Sequence, residues 1–247
     1  MLGTGLALWA RRSGRARFSP LSLFAAGEQG AWFDPSDLSS MFADTEGTVP
    51  AALGGGVARI NDKSGRGNHA VQAIEASRPL LKQEAGGRFY LEFDGVNDWL
   101  VSSLFALDPP WDRVSALRQT NWVGGRRIFG NGSGRLTGLL YFNPVSPSIG
   151  MYDGAGAPNN AGMTVGTTAV VTERHHGAES QLIVDGTANA GNSGINPANG
   201  FSIGADGAGG SPAAFALFGL CLVKAVLGTE QMAALQGHFA RKGGVAL

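Results

Sequence analysis

Asp62-Lys63-Ser64-Gly65-Arg66-Gly67-Asn68 and Asp94-Gly95-Val96-Asn97-Asp98 are two polar, glycine-bearing turns, each set against strand-like sequence. Asp, Asn, Ser and Gly dominate such turns because the short side chains bond nearby backbone and Gly accepts a positive φ. The second turn follows residues 89–93, which alternate apolar and polar, and precedes 99–101, where strand sequence resumes. Tight reversals between strand-like segments commit the chain to antiparallel pairing.

The rest of the chain agrees. Segments 30–34, 57–61, 114–123, 135–142, 167–172, 180–185 and 215–223 are rich in strand formers, and Gly- and Asn-rich loops separate them. No stretch alternates strand with helix. The pattern predicts an all-β, two-sheet antiparallel sandwich. Ser36 is expected to cap a short helical turn that puts Leu38, Met41 and Phe42 on one face. One longer helix is expected over 229–241, with Thr229 as cap, Glu230 in the first turn and Met232, Leu235 and Phe239 sharing a face. Loops 143–162 and 186–199 are polar and Gly-rich and read as either mobile or ligand-facing.

Composition narrows the function. Charged residues are 15% of the chain and Gly supplies 39 of 247 positions, about twice the usual share. Four of the 19 basic residues (Arg11, Arg12, Arg15 and Arg17) fall within 1–27, which holds no acid, so the body carries 15 basic and 19 acidic side chains. A mildly acidic body offers no basic face to a phosphate backbone, and no nucleic-acid partner is expected. Residues 2–10 are apolar but too short to span a bilayer, and the Arg cluster follows them, the reverse of a secretory signal. Residues 1–26 read as a docking arm and 27–247 as one domain. Leu6, Leu8, Trp9, Arg11 and Arg12 are the docking residues. The single cysteine, Cys221, sits in an apolar run and reads as a small buried hydrophobe.

The oxygen-bearing residues have a plain reading and a sharper one. Asp62, Asn68, Asp94 and Gly95 read as turn-forming signature residues. Asp94, Asn97 and Asp98 form an oxygen cluster, so calcium is the cofactor to test, although it takes six to eight oxygen ligands. His175 and His176 adjoin in a strand and point to opposite faces, which disfavours joint chelation. Sugar rings stack an apolar face on exposed aromatics, and Trp111, Trp122, Tyr141 and Tyr152 are the glycan-binding candidates.

In this order the two turns resemble the opening of a laminin-G-like domain of the concanavalin A-like lectin/glucanase superfamily. That resemblance implies a two-sheet jelly roll with a short C-terminal helix. Glu92-x-Asp94-x-x-Asn97 also nearly matches the Glu-x-Asp-x-x-Glu of laminarinase-type glucanases. Such enzymes use two carboxylates flanking the scissile bond. Asn97 cannot serve as the acid/base, so the chain is expected not to be an enzyme.

Phe18-Ser19-Pro20-Leu21-Ser22-Leu23-Phe24, followed by Gly27-Glu28-Gln29-Gly30-Ala31-Trp32-Phe33-Asp34-Pro35-Ser36-Asp37 and later by Pro109-Pro110-Trp111-Asp112-Arg113-Val114-Ser115-Ala116, is similar to structural proteins of tailed bacteriophages, prophages and gene-transfer particles. This resemblance implies a virion-surface protein on a tail fibre, spike or capsid. Its arm would dock to other virion proteins, and its lectin-like domain would bind host-surface glycan. It implies a homo-oligomer, with a trimer the form expected of fibres and spikes. The alternatives are a decoration or adaptor protein without a ligand, and a glycan hydrolase.

Overall fold

The computed structural model describes residues 17–144, 147–156 and 158–247. Among these residues the chain forms the predicted all-β, jelly-roll-like sandwich with a C-terminal helix. The path of the eight-stranded sheet runs Thr187–Gly191, Ser180–Val184, Thr168–His175, Trp111–Gln119, Ala214–Val223, Phe89–Asp94 and Leu80–Gln83. Gly30–Phe33 lies beside the far end of Ala214–Val223. The nine-stranded sheet runs Asn159–Asn160, Ile149–Tyr152, Leu139–Phe142, Arg127–Gly130, Ser202–Ile203, Leu100–Ser102, Ala70–Val71, Arg59–Ile60 and Met41–Phe42. The strands of both sheets pair antiparallel.

The main core lies between the sheets, where Phe33, Phe93, Phe129, Phe142, Phe201 and Phe215 are all buried. A second apolar layer covers the outer face of the eight-stranded sheet. There Val114, Val170 and Phe218 meet Met232, Leu235 and Phe239 of the helix Thr229–Gly243. Ala214–Val223 therefore has no solvent face: Phe215, Leu217, Leu220 and Leu222 belong to one layer, Ala216, Phe218, Cys221 and Val223 to the other. Burial on both faces explains its unbroken apolar sequence. It also places Cys221 in the core, where burial pushes the thiol pKa up.

The local expectations need two adjustments. The N-cap of the helix is Gly228 rather than Thr229, and Gln231 Oε1 accepts the Gly228 N–H at 3.2 Å. Ser36 is not a cap. Its hydroxyl donates to Asp34 Oδ1 at 2.7 Å, and only Leu38–Ser40 form a 3-10 turn before Met41 joins a strand. At the arm boundary, Pro20–Phe24 is a 3-10 turn that buries Leu23 and Phe24 in the helix layer beside Trp32. Leu6, Leu8, Trp9, Arg11 and Arg12 lie outside the described residues.

The two signature turns are built alike but differ in burial. Asp62 Oδ1 accepts from the Trp32 and Ser64 amides at 2.9 and 2.8 Å, and Oδ2 from the Asn68 amide at 3.0 Å. Asn68 Nδ2 donates to Gly30 O at 2.8 Å, so this turn fastens the first strand to the body. Asp94 Oδ1 accepts from the Val96 and Asn97 amides at 2.7 and 3.1 Å, in the open. Gly95 is fixed twice over, by φ of 74° and because a Cβ would lie 2.8 Å from Ala214 Cβ. Removing an acceptor from buried amides costs about 1–3 kcal/mol, whereas exposed amides turn to water. Asp62→Ala should therefore lower the unfolding free energy by about 1–3 kcal/mol and Asp94→Ala by less than about 1. Urea unfolding of the two variants checks the order; the reverse order would show that burial does not set these costs.

Candidate functional site

At one end of the sandwich Arg135, Leu136, Thr137, Tyr152, Gly154, Asn196 and Pro197 line a cleft of about 490 Å³. Tyr152 ends the strand Ile149–Tyr152, whose Ile149 and Met151 point into the core and whose Tyr152 points outward. Gly154 lets the loops close on each other: its φ is 99°, and a Cβ there would lie 2.0 Å from Asn196 Nδ2. Tyr152 and Gly154 belong to the loop read over 143–162, and Asn196 and Pro197 to that read over 186–199. Both segments, read as mobile or ligand-facing, supply walls of the cleft.

A buried ionic chain lies behind these walls. Thr168–His175 pairs with Trp111–Gln119 so that Glu173 faces Arg113 and His175 faces Trp111. Alternation from buried Ala169 and Val171 carries Glu173 and His175 onto the core face. Arg113 holds Glu173 through two nitrogens, Nε to Oε1 at 2.7 Å and Nη2 to Oε2. His175 Nε2 lies 3.3 Å from Glu173 Oε2, and its Nδ1 bonds Asp153 Oδ2. Trp111 stacks on His175 at 3.6 Å between centroids, and the Arg113 guanidinium lies 4.4 Å from the Phe129 ring centre. Asp153, Glu173 and His175 are wholly inaccessible, and Arg113 is 1% exposed.

The charges of this chain are matched. Burial opposes ionisation of Glu173, but the Arg113 and His175 charges outweigh it and hold its pKa below the usual carboxylate value. Burial likewise lowers the His175 pKa, and Asp153 and Glu173 more than reverse this and raise it. Asp153 also ties the cleft together. Its Oδ1 accepts from Gly138 N at 2.6 Å, its backbone oxygen accepts from Asn196 N at 3.0 Å, and its own N–H donates to Ser193 O. The ionic chain is thus the rigid base from which both cleft loops are held.

The predicted site residues divide. Tyr152 lines the cleft. Tyr141 shares the outer face of that strand pair, half-buried, with its hydroxyl lying across Gly150. Trp122 is half-buried and stacked on Phe142 at 5.1 Å. Trp111 is wholly buried, so its reading as an exposed sugar platform is corrected: it is a core ring on the ionic chain. Asp98 accepts the Asp94 amide at 3.0 Å, and burial, with the Asp94 and Glu92 charges adding, pushes its pKa up to about 6. Asn97 Nδ2 donates to Ala76 O at 2.6 Å. Asp94, Asn97 and Asp98 thus meet as a hydrogen-bonded turn, and among the described residues no group of three or more His, Cys, Asp or Glu is placed to hold a metal ion. His175 and His176 do point apart: His176 Nε2 lies 2.9 Å from Asp112 Oδ1, on the side away from Asp153.

No protein-family model and no curated protein matches this sequence. Solved structures share the fold. Trypanosoma rangeli sialidase in complex with sialic acid matches over 90% of this chain at 15% identity with a TM-score of 0.58, and the match covers 34% of the sialidase chain. Domain 4 of a GH43 extracellular arabinanase from Geobacillus stearothermophilus, in complex with arabinotriose, matches over 85% of this chain and 98% of its own at 10% identity, with a TM-score of 0.55. An arabinofuranosidase complexed with arabinofuranosyl-alpha-1,2-xylobiose matches over 92% of this chain and 65% of its own at 13% identity, with a TM-score of 0.61. The expectation that the chain is not an enzyme is corrected by these neighbours. They are glycoside hydrolases, so the exclusion of glycan turnover drawn from Asn97 alone does not stand. At these identities the likeness establishes the fold, a β-sandwich that occurs in carbohydrate-active enzymes.

Proposed function

We propose that this chain is a glycan-recognising sandwich whose binding site is the cleft around Tyr152. One observation carries this reading. Among the described residues, the side chains of Arg135, Tyr152 and Asn196 converge on the cleft without an intramolecular hydrogen-bond or ion-pair partner. Tyr152 supplies a ring for the apolar face of a sugar, while Arg135 and Asn196 supply donors for hydroxyl and carboxylate oxygens. The ionic chain beneath keeps these groups in place before a ligand arrives, which limits the ordering cost of binding. The setting implied by the N-terminal resemblance is a virion surface. There residues 1–26 attach a homo-oligomer to its carrier and the cleft faces host glycans.

A glycan array followed by titration of the hits tests this. Tyr152→Ala and Arg135→Gln should each weaken binding about tenfold or more, the equivalent of roughly 1.4 kcal/mol, while both variants melt as the wild type does. Release of reducing ends, measured in parallel, reports turnover. Absence of any bound glycan, or affinity unchanged in both variants, would overturn the assignment in favour of a decoration protein without a ligand.

A further inference from the structure

Most described arginines are spent on partners: Arg113 on Glu173, Arg118 on Glu84, Arg127 on Asp206, Arg174 on Asp112, and Arg78 on backbone carbonyls. Arg17 and Arg241 have no such partner among the described residues, yet they come from opposite ends of the chain to one cleft of about 360 Å³, which Phe18, His238 and Lys242 complete. None of these lining residues is acidic. The nearest carboxylate in this region, Asp34, is already held by Lys242 at 2.9 and 2.7 Å and by the Ser36 hydroxyl. His238 Nε2 is buried without a hydrogen-bond partner, in a ring packed edge-on against Phe18, Trp32 and Phe239.

We propose that this cleft is an oxyanion-binding site, taking a phosphate or sulfate group between the Arg17 and Arg241 guanidiniums with Lys242 and His238 on its walls. Cations in the last turn of a helix complement its dipole, which accounts for Arg241 and Lys242 in Thr229–Gly243 but not for Arg17. The dipole itself does not cancel the site. Three cations stand against Asp34 and a helix-end charge of about −0.5, which leaves roughly one and a half positive charges. The carbonyl of Ala240 is also occupied by the Gly244 and Val245 amides. Arginine forks match the oxygens of such anions, and a neutral imidazole N–H completes the donor set.

The imidazole supplies a second signature. Burial first, then the Lys242, Arg241 and Arg17 charges, pull the His238 pKa down to about 4, against the pull of Asp34. An anion in the cleft offsets the cationic field and raises that pKa, so sulfate, whose own charge is constant over this range, binds with proton uptake and tightens as pH falls from 8 to 5.5, whereas phosphate loses a negative charge over the same range. The site is independent of the Tyr152 cleft.

Calorimetric titration of the full chain with sodium phosphate and sodium sulfate, against sodium chloride at matched ionic strength, tests the proposal, with the His238 ring signals followed by NMR. The expected result is saturable binding of phosphate or sulfate, a low-field shift of the His238 signals, and an affinity for sulfate that rises towards pH 5.5. Arg17→Gln and Arg241→Gln change exposed side chains and should each weaken binding about tenfold, while Arg126→Gln leaves it unchanged. Competition by a sulfated oligosaccharide but not by its neutral parent would name a glycan-borne group as the source, and its absence would name the free ion. Phosphate and sulfate acting no differently from chloride, or binding retained in both Arg17→Gln and Arg241→Gln, would overturn the assignment.

Discussion

Glu173→Ala should lower the unfolding free energy by about 3–5 kcal/mol, the range for breaking a buried ion pair from one side. The cost arises less from the lost bonds than from what is left behind. Arg113 is 1% exposed and would keep a full charge with the Gly138 carbonyl as its remaining acceptor. His175 would lose one of its two carboxylates. The pH dependence has a fixed sign. The folded pKa of Glu173 lies below its ordinary value, so its contribution is present above that ordinary value and disappears as pH falls through the folded one. The variant and the wild type should accordingly converge in stability under acid. Replacing both partners, with Arg113→Met and Glu173→Leu together, should recover much of the loss, because an apolar pair carries no desolvation penalty. Urea unfolding at pH 7 and under acid measures all three. A single-variant cost below about 1 kcal/mol would place this pair with exposed salt bridges.

Reading the sequence alone recovers what depends on near neighbours. Asp62 and Asp94 serve amides within a few residues of themselves, so their turns are legible without knowing the fold. The helix face of Met232, Leu235 and Phe239 follows from its spacing, and the long strand Ala214–Val223 from its apolar run. Two-residue strands such as Ala70–Val71 are not legible, because only distant partners make them strands. Ile149–Tyr152 and Thr187–Gly191 lie hidden in segments that read as Gly-rich loops.

The ionic chain was hidden for a different reason. Arg113, Asp153, Glu173 and His175 are far apart in sequence or lack a spacing that pairs them, and only the fold, including the register of Thr168–His175 against Trp111–Gln119, brings their charges together. One signal was present in the sequence: Glu173 and His175 continue the core-facing alternation of Ala169 and Val171. A charged pair on the buried face of a strand demands partners. Trp111 reads as a sugar platform only because it is aromatic, and the sequence does not show which aromatic rings are exposed. Its burial follows from lying opposite His175 across the sheet.

Asp153→Ala should show whether the core and the cleft are one system. The substitution leaves the His175 imidazolium with Glu173 alone and removes the acceptor of the Gly138 amide, so a stability loss of about 3–5 kcal/mol is expected. The loss should depend on pH in the sense opposite to that of Glu173→Ala. In the wild type the folded pKa of His175 is raised, so its stabilisation is fully present below the unfolded value and is lost as pH rises through the folded one. The cost of Asp153→Ala should therefore be larger at pH 6 than at pH 9. Asp153→Asn keeps an acceptor for Gly138 but not the charge. It should retain more of the cleft geometry while losing the same pH-dependent part. If glycan affinity falls in both variants in proportion to the lost stability, the ionic chain positions Tyr152 and Asn196. A cost identical at pH 6 and pH 9 would show that His175 is uncharged in the folded protein and that Asp153 acts through the Gly138 amide alone.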